Sequence, residues 1–146
     1  MKNEMTYKQK SGIYRNYNGN CTFDPKTFVG LSYNWWLFVA KIDGKVIFNN
    51  YSYSVTTSSH QSSMRSLLND LGIKIDLFIQ SPKGLQDLQS AYDCSLVRLH
   101  EAQRKQPKAR SLYMQKAWNE QWQESLLALD FLKKQGVKTW NEIEAA

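Results

Sequence analysis

The sequence has few of the residues from which metal and redox sites are most often built. It contains two cysteines, Cys21 and Cys94, and two histidines, His60 and His100, in 146 residues. The cysteines lie far apart, no CxxC pair occurs, and the histidines do not have the spacing of a helical metal pair. The sequence therefore predicts two free thiols, as in a reducing compartment, with no metal site and no cofactor.

The sequence also lacks a long apolar segment, an internal repeat and a low-complexity tract. No apolar run approaches the ~20 residues that a membrane helix requires. The first residues, MKNEMTYKQKSG, contain no apolar core of a signal peptide. These absences predict a cytoplasmic protein that does not engage a membrane.

Acidic residues are outnumbered by basic ones. The chain contains 13 Asp and Glu residues and 19 Lys and Arg residues, which gives a net charge of +6 at pH 7. This balance favours anionic partners. The scarcity of carboxylates argues against a metal-dependent nuclease, which gathers several of them around its ion. Apolar residues make up 42% of the chain and aromatic residues 13%, so the composition predicts a folded core rather than disorder.

The segment TFVGLSYNWWLFVAKIDGKVIFNNYSYS, residues 27–54, is rich in β-branched and aromatic residues. Asp43-Gly44 separates two apolar runs within it and predicts a β-hairpin. Alternation places Trp35 on one face and Trp36 on the other, and both faces are apolar. The sheet is therefore expected to be covered by helices, unless one face binds a partner. Residues 73–80, IKIDLFIQ, predict a further strand.

A helix is predicted near 59–71, between the hairpin and that further strand. Ser58 and Gln61 have the spacing of a capping box, and Gly72 provides a left-handed stop. This start makes His60 an exposed residue of the first turn.

Two amphipathic patterns follow Pro82 and predict an antiparallel helical hairpin. The first extends to about Lys105, Pro107 interrupts it, and the second ends near Gly136. A last capping box, Thr139 and Glu142, predicts a terminal helical turn. The apolar positions of the two helices are Leu85, Leu88, Tyr92, Leu96 and Leu99, and then Met114, Trp118, Trp122, Leu126 and Leu129.

Together these patterns predict one domain over residues 1–146. It consists of a loose basic arm at 1–10, a β-rich part at 11–82 and a helical part at 83–146. The predicted fold class is α+β, with a small, mostly antiparallel sheet that contains one inserted helix and is followed by the antiparallel helical hairpin.

Cations cluster around Pro107, at the expected turn of this hairpin. They would attract phosphates through sequence-independent contacts, although a solvated turn is the simpler explanation. Exposed aromatic side chains would stack on unpaired bases or anchor a protein partner. Trp35, Trp118 and Trp122 are assigned to the core. The predicted binding residues are Arg98, Arg104, Lys105, Lys108, Arg110, Lys116, Trp36, Tyr51 and Tyr53.

An enzymatic alternative centres on the start of the predicted helix. There His60 would act as general base on a phosphate-containing substrate, and Arg65 or the hydroxyls of residues 56–59 would bind the anion. The simpler explanation of these residues is the exposed first turn of a helix.

The stretches NWWLFVAKIDGKVIFNNYSYS and YSYSVTTSSHQSSMRSLLNDLGIKIDLFIQSPKGLQ resemble small uncharacterised accessory proteins encoded by bacteriophages. The resemblance implies a factor that acts in the host cytoplasm and blocks a host enzyme or defence complex, and it assigns no residue role. The leading hypothesis is thus a non-enzymatic inhibitor that binds nucleic acid or a host nucleoprotein complex through a basic, aromatic surface. The alternatives are the phosphate-processing enzyme and, less favoured, an oligomer built through the apolar sheet face.

Overall fold

A computed structural model describes residues 7–137 of the chain. The helices in this part are α1 (Val55–Asp70), α2 (Leu88–Lys105) and α3 (Leu112–Lys134), with a 3-10 turn at Gln106–Lys108 between α2 and α3. The strands are β1 (Lys8–Lys10), β2 (Ile13–Arg15), β3 (Cys21–Asp24), β4 (Val29–Ser32), β5 (Trp36–Ile42), β6 (Lys45–Asn49) and β7 (Leu77–Ile79). The α+β class and the helical hairpin are confirmed, but the seven-stranded sheet is larger than the small sheet predicted.

The strands lie in the sheet in the order in which they occur in the chain. Neighbouring strands from β1 to β6 are antiparallel. Asp43 and Gly44 connect β5 to β6 with φ angles of 52° and 76°, the left-handed conformation that a tight hairpin turn requires. The predicted hairpin is therefore confirmed. β7 is parallel to β6, because α1 carries the chain back before β7 begins.

Helices cover both faces of the sheet. Met64 and Leu68 of α1 lie in a buried cluster with Phe38 and Phe48 of the sheet. On the opposite face, side chains of α2 and α3 pack in a second cluster around Ile47. The apolar character of both faces of β5 is thus explained by two cores rather than by an open face.

A bulge in β5 breaks the alternation predicted for this strand. Gly30 pairs with Val39, whereas the next residue, Leu31, pairs with Leu37, so Phe38 is an extra residue. Phe38 and Val39 consequently both face the α1 side. Gly30 permits the close pairing, because a Cβ atom at this position would lie 2.7 Å from the Cβ of Val39.

Helix α1 begins at Val55 rather than near residue 59. Ser54 is its N-cap and accepts a hydrogen bond of 3.1 Å from the Thr57 N–H. The Ser58 N–H donates to the Ser54 carbonyl as part of the first turn, and the Gln61 side chain donates to the carbonyls of Asn49 and Tyr51, which precede the helix. The predicted capping box is therefore wrong.

The end of α1 agrees with the sequence, but the strand after it is short. Gly72 has a φ of 72°, and the Ile73 N–H donates to the Leu68 carbonyl in a Schellman arrangement. Of the segment predicted as a strand over 73–80, only β7 is regular strand. The preceding Asp76 is held to β6 by two hydrogen bonds with Val46: its N–H donates to the Val46 carbonyl at 2.9 Å, and its carboxylate accepts from the Val46 N–H at 2.8 Å.

The predicted apolar pattern is correct for only part of the helical hairpin. Leu129 is buried as predicted, but Met114 and Leu126 are each 42% exposed. Leu85 is buried just before α2 begins, and its N–H donates to the Leu37 carbonyl over 2.7 Å. The C-terminal half of α3 therefore supplies most of the core of that helix, and its first turns are open to solvent.

The outer ends of the predicted domain are only partly described. Lys8–Lys10, which were assigned to the loose basic arm, form β1 and pair with β2. Residues 1–6 and the predicted terminal turn at Thr139 and Glu142 lie outside the described residues. Between residues 7 and 137, none of the helices has the length and apolar character needed to cross a membrane.

Candidate functional site

His60 lies in the interior between the sheet and α1. Its side chain is 1% exposed, and its Nδ1 is 2.8 Å from the Oγ of Ser32, which is also buried. The ring of Tyr33 contacts the imidazole with a centroid distance of 5.4 Å. The prediction of an exposed first-turn histidine is therefore wrong, because α1 starts four residues earlier and His60 falls on its buried face.

Arg65 does not join His60 in a site. It is exposed on α1, and its guanidinium lies 5.7 Å from the ring centroid of Phe48. A general base must reach its substrate, whereas His60 is 1% exposed and its Nδ1 lies within hydrogen-bonding distance of the buried Ser32 hydroxyl. Within residues 7–137, no group of three His, Cys, Asp or Glu side chains is placed to hold a metal ion.

A chain of partly buried hydroxyl and thiol groups lies beside His60, whose carbonyl accepts a hydrogen bond from the Ser63 hydroxyl. The Tyr7 hydroxyl is 3.1 Å from the Sγ of Cys21 and 2.9 Å from the Oγ of Ser63. Burial raises the pKa of the Cys21 thiol to about 12 and also raises the pKa of the Tyr7 phenol. Both groups are therefore neutral at physiological pH, and Cys21 is an unreactive structural thiol.

The end of the parallel pair β6 and β7 is held by the buried amide of Asn49. The Asn49 Oδ1 accepts from the N–H groups of Ser81 (3.0 Å) and Tyr51 (3.1 Å). Its Nδ2 donates to the Ser81 carbonyl, at 2.9 Å. This network fixes the loops that follow the two strands and positions Tyr51.

The two adjacent tryptophans have the opposite placements from those predicted. Trp36 is buried, and its Nε1 donates to the carbonyl of Pro82 over 3.1 Å, so it has no free surface for a partner. Trp35 is 50% exposed and was assigned to the core. Its ring lies 6.0 Å from that of Tyr53, which is exposed as predicted.

Two of the predicted binding residues, Tyr51 and Arg98, line the same groove. This groove has a volume of about 510 Å³ and is bordered on one side by α2. Arg98 forms a salt bridge of 2.9 Å with Glu124 of α3 and is therefore partly neutralised. The thiol of Cys94 also lines the groove, and burial raises the pKa of that thiol while Arg98 acts in the opposite direction.

The remaining predicted cations lie at the connection between α2 and α3. We call this group, with Lys116 in the second turn of α3, the basic tip. Lys105 packs 5.0 Å from the ring centroid of Trp118 and lies 3.8 Å from a carboxylate oxygen of Glu101. The other members form no salt bridge within residues 7–137. The members of the basic tip are Arg104, Lys105, Lys108, Arg110 and Lys116, all of them exposed.

Local hydrogen bonds give the basic tip a defined shape. Pro107 is accommodated in the 3-10 turn, where its missing N–H costs no hydrogen bond. Ser111 caps α3 by accepting a 3.1 Å hydrogen bond from the Met114 N–H. The side-chain amide of Gln115 donates to the Ala109 carbonyl at 3.0 Å and ties the connection back to α3.

The basic tip also exposes apolar and aromatic side chains that the sequence analysis did not select. Leu112 and Tyr113 are 83% and 80% exposed in the first turn of α3. The sequence does indicate that these two side chains are exposed. Both residues directly follow Ser111 and do not belong to the apolar positions predicted for the buried face of this helix.

Comparison of the chain with known protein families, curated proteins and solved structures finds no significant match. The site is therefore defined by its geometry. The basic tip holds five of the predicted binding residues, Tyr51 and Arg98 line the groove, and Tyr53 lies beside Trp35.

Proposed function

We propose that the protein is a non-enzymatic binding protein whose basic tip engages the phosphate backbone of a nucleic acid, either free or within a nucleoprotein complex. The observation that carries this proposal is the position of the unpaired cations. Arg104, Lys108, Arg110 and Lys116 are exposed and form no salt bridge in the described part of the chain. Such side chains can contact phosphates without breaking an internal interaction.

Helix electrostatics account for only part of this cluster. Arg104 and Lys105 occupy the last turn of α2, where cations stabilise the negative end of the helix dipole. Arg110 precedes the N-cap of α3, and Lys116 lies in its second turn, near the positive end of that dipole. The first turn of α3 contains no acidic residue that would offset these charges. An anionic partner would relieve this local repulsion, which favours a role in binding.

The burial of His60 supports a non-enzymatic protein. A phosphate-processing enzyme would need His60 to face the substrate together with Arg65 or the hydroxyls of residues 56–59, but His60 lies in the interior. Arg65 is exposed on α1, with its guanidinium 5.7 Å from the ring centroid of Phe48. The Ser32–His60 hydrogen bond has the distance of a nucleophile–base pair, but neither side chain is exposed. The geometry thus favours a structural role for the pair, and no second function is proposed.

The wider setting of this proposal is an accessory protein of bacteriophage type. In that setting it would act in the host cytoplasm and inhibit a host nucleoprotein or defence complex. Support for this part comes from the sequence resemblance alone. It is tested by affinity capture from host cells with the wild type and with a variant that lacks the cations of the basic tip. A specific partner that only the wild type captures, and that nuclease treatment releases, is the expected result.

The direct test is retention of labelled DNA and RNA over a range of salt concentrations. We expect the logarithm of the affinity to fall linearly with the logarithm of the salt concentration, by about 0.7–0.9 for each phosphate contact. The variant Arg104→Gln, Lys108→Gln and Arg110→Gln should lose most of the affinity and show a shallower slope.

A matched control removes three exposed lysines from other parts of the fold. The variant Lys26→Gln, Lys45→Gln and Lys74→Gln has the same net charge as the tip variant. It should retain most of the affinity. Equal losses in the two variants, or no retention of any nucleic acid at low salt, would contradict the proposal.

A further inference from the structure

The exposed start of α3 points to the class of nucleic acid that the basic tip binds. This inference rests on the proposed function. Tyr113 lies between Arg110 and Lys116 in the sequence and is 80% exposed. Its ring forms no aromatic contact within residues 7–137. Neither the core nor the helical hairpin accounts for its position.

The surroundings of Tyr113 differ from those of a simple phosphate site. Together with Lys116, Ala117 and Glu120 it lines a shallow depression of about 170 Å³. Lys116 can contact a phosphate at one edge, whereas the Glu120 carboxylate would repel a phosphate placed within the depression. A carboxylate accepts hydrogen bonds from the amino groups of bases, and an aromatic ring stacks on any base. The depression is therefore better suited to a base than to a phosphate.

We infer that the basic tip binds single-stranded nucleic acid, with an unpaired base stacked on Tyr113 and the neighbouring phosphates held by Arg110 and Lys116. A duplex would present only its backbone to this surface, because its bases are already stacked on one another. Single strands should thus be preferred over duplexes of the same sequence, and the preference should depend on the Tyr113 ring.

A membrane surface is less compatible with this part of α3. An interfacial helix buries a continuous apolar face several turns long. Here the exposed apolar side chains at the start of the helix are Leu112, Tyr113 and Met114, and the outer positions that follow, such as Lys116 and Asn119, are polar. The apolar area is sufficient for one or two bases, but it is small for insertion into lipid.

The test compares a fluorescently labelled single strand with the matching duplex, by fluorescence anisotropy at fixed salt. Tyr113→Ala should weaken binding of the single strand about tenfold, the effect of losing one stacked base, and should leave duplex binding nearly unchanged. Tyr113→Phe should restore most of the lost affinity, because it keeps the ring. Tyr17→Ala is the matched control, since Tyr17 is 76% exposed in another part of the fold and should not affect binding.

The outcomes separate this inference from the proposed function. If wild type binds both nucleic acids and Tyr113→Ala binds the single strand as tightly as wild type does, the stacking site is refuted. The proposal that the basic tip binds the phosphate backbone is then retained. If neither nucleic acid binds, both proposals fail. If vesicles containing phosphatidylserine retain the protein while neither nucleic acid does, both fail in favour of a membrane surface.

Discussion

The Oγ of Ser32 lies 2.8 Å from the Nδ1 of His60, and this hydrogen bond joins β4 to α1 through the interior of the protein. Both side chains are almost fully buried. Hydrogen bonds in such surroundings contribute to stability mainly because an unsatisfied buried partner is costly. We therefore assign His60 a structural role, which can be tested separately from the binding of nucleic acid.

His60→Ala should destabilise the protein by about 2–4 kcal/mol, because it leaves a cavity and removes the partner of the Ser32 hydroxyl. Urea denaturation measures the change. His100→Ala is the matched control, since His100 is exposed on α2 and should alter stability by less than about 0.5 kcal/mol. An unchanged unfolding midpoint in His60→Ala, together with loss of an enzymatic activity, would instead support the phosphate-processing alternative.

Cys21 should make stability decrease at alkaline pH. Its folded-state pKa of about 12 lies above the ordinary thiol value of 9.0, so the folded protein keeps a proton that the unfolded chain loses. The stabilisation is complete below about pH 9 and is lost as the pH rises towards 12. Unfolding by urea at several pH values should therefore show a smaller alkaline loss for Cys21→Ser than for wild type. Identical pH profiles for the two proteins would exclude this role.

Gly30→Ala should destabilise the sheet by about 1–3 kcal/mol through overpacking against Val39. Thermal unfolding of Gly30→Ala, Val39→Ala and the double variant forms a double-mutant cycle. Val39→Ala removes the methyl group that the new Cβ would meet at 2.8 Å but keeps the Val39 Cβ at 2.7 Å. The double variant should therefore recover part of the loss and be more stable than the sum of the two single changes predicts. Strict additivity would mean that the Val39 methyl group does not compete with the new Cβ for space.

Asn49→Ala should release the loops that follow β6 and β7. Three hydrogen bonds of the side chain are lost, and the backbone N–H groups of Ser81 and Tyr51 lose their acceptor. We expect a destabilisation of about 2–3 kcal/mol and faster hydrogen exchange at these two amides. Asn69→Ala, a change at an exposed position near the end of α1, is the control. Slow exchange at both amides in Asn49→Ala would show that other contacts hold the loops.

Local sequence signals predicted the elements whose geometry depends on a few adjacent residues. Asp43-Gly44 fixed the position of the β5–β6 turn because its backbone conformation restricts the choice of residues. Pro107 marked the connection between the two long helices for a similar reason, and Gly72 marked the end of α1. The turn chemistry in each case does not depend on the rest of the fold.

The start of α1 could not be located in this way, since the segment contains several hydroxyl side chains that can cap a helix. Ser54 and Ser58 are both suitable N-caps by type. The burial of Thr57, His60 and Gln61 selects the earlier start, and that burial depends on contacts with distant strands. The error at the helix start led directly to the error about His60.

The tryptophans and the groove show the same dependence on long-range contacts. The chain enters β5 through a turn in which Tyr33 and Asn34 both adopt left-handed conformations. Asn favours this conformation, but Tyr does not, so the two residues together do not mark the turn as Gly would. Trp35 therefore lies in the connection, and Trp36 enters the core. Tyr51 and Arg98 meet at one groove only because α2 packs beside the end of β6, which periodicity along the chain does not specify.

The order of the strands has a consequence for the way in which the protein avoids self-association. Because the strands lie in the sheet in chain order, the two edge strands within residues 7–137 are the first and the last, β1 and β7. Contact with α3 shields β7. In contrast, all three residues of β1 are exposed, and its first and last residues are Lys8 and Lys10. Lysines on an edge strand disfavour pairing with the edge of another molecule. Lys8 and Lys10 would thus keep the sheet from growing by addition of a second copy.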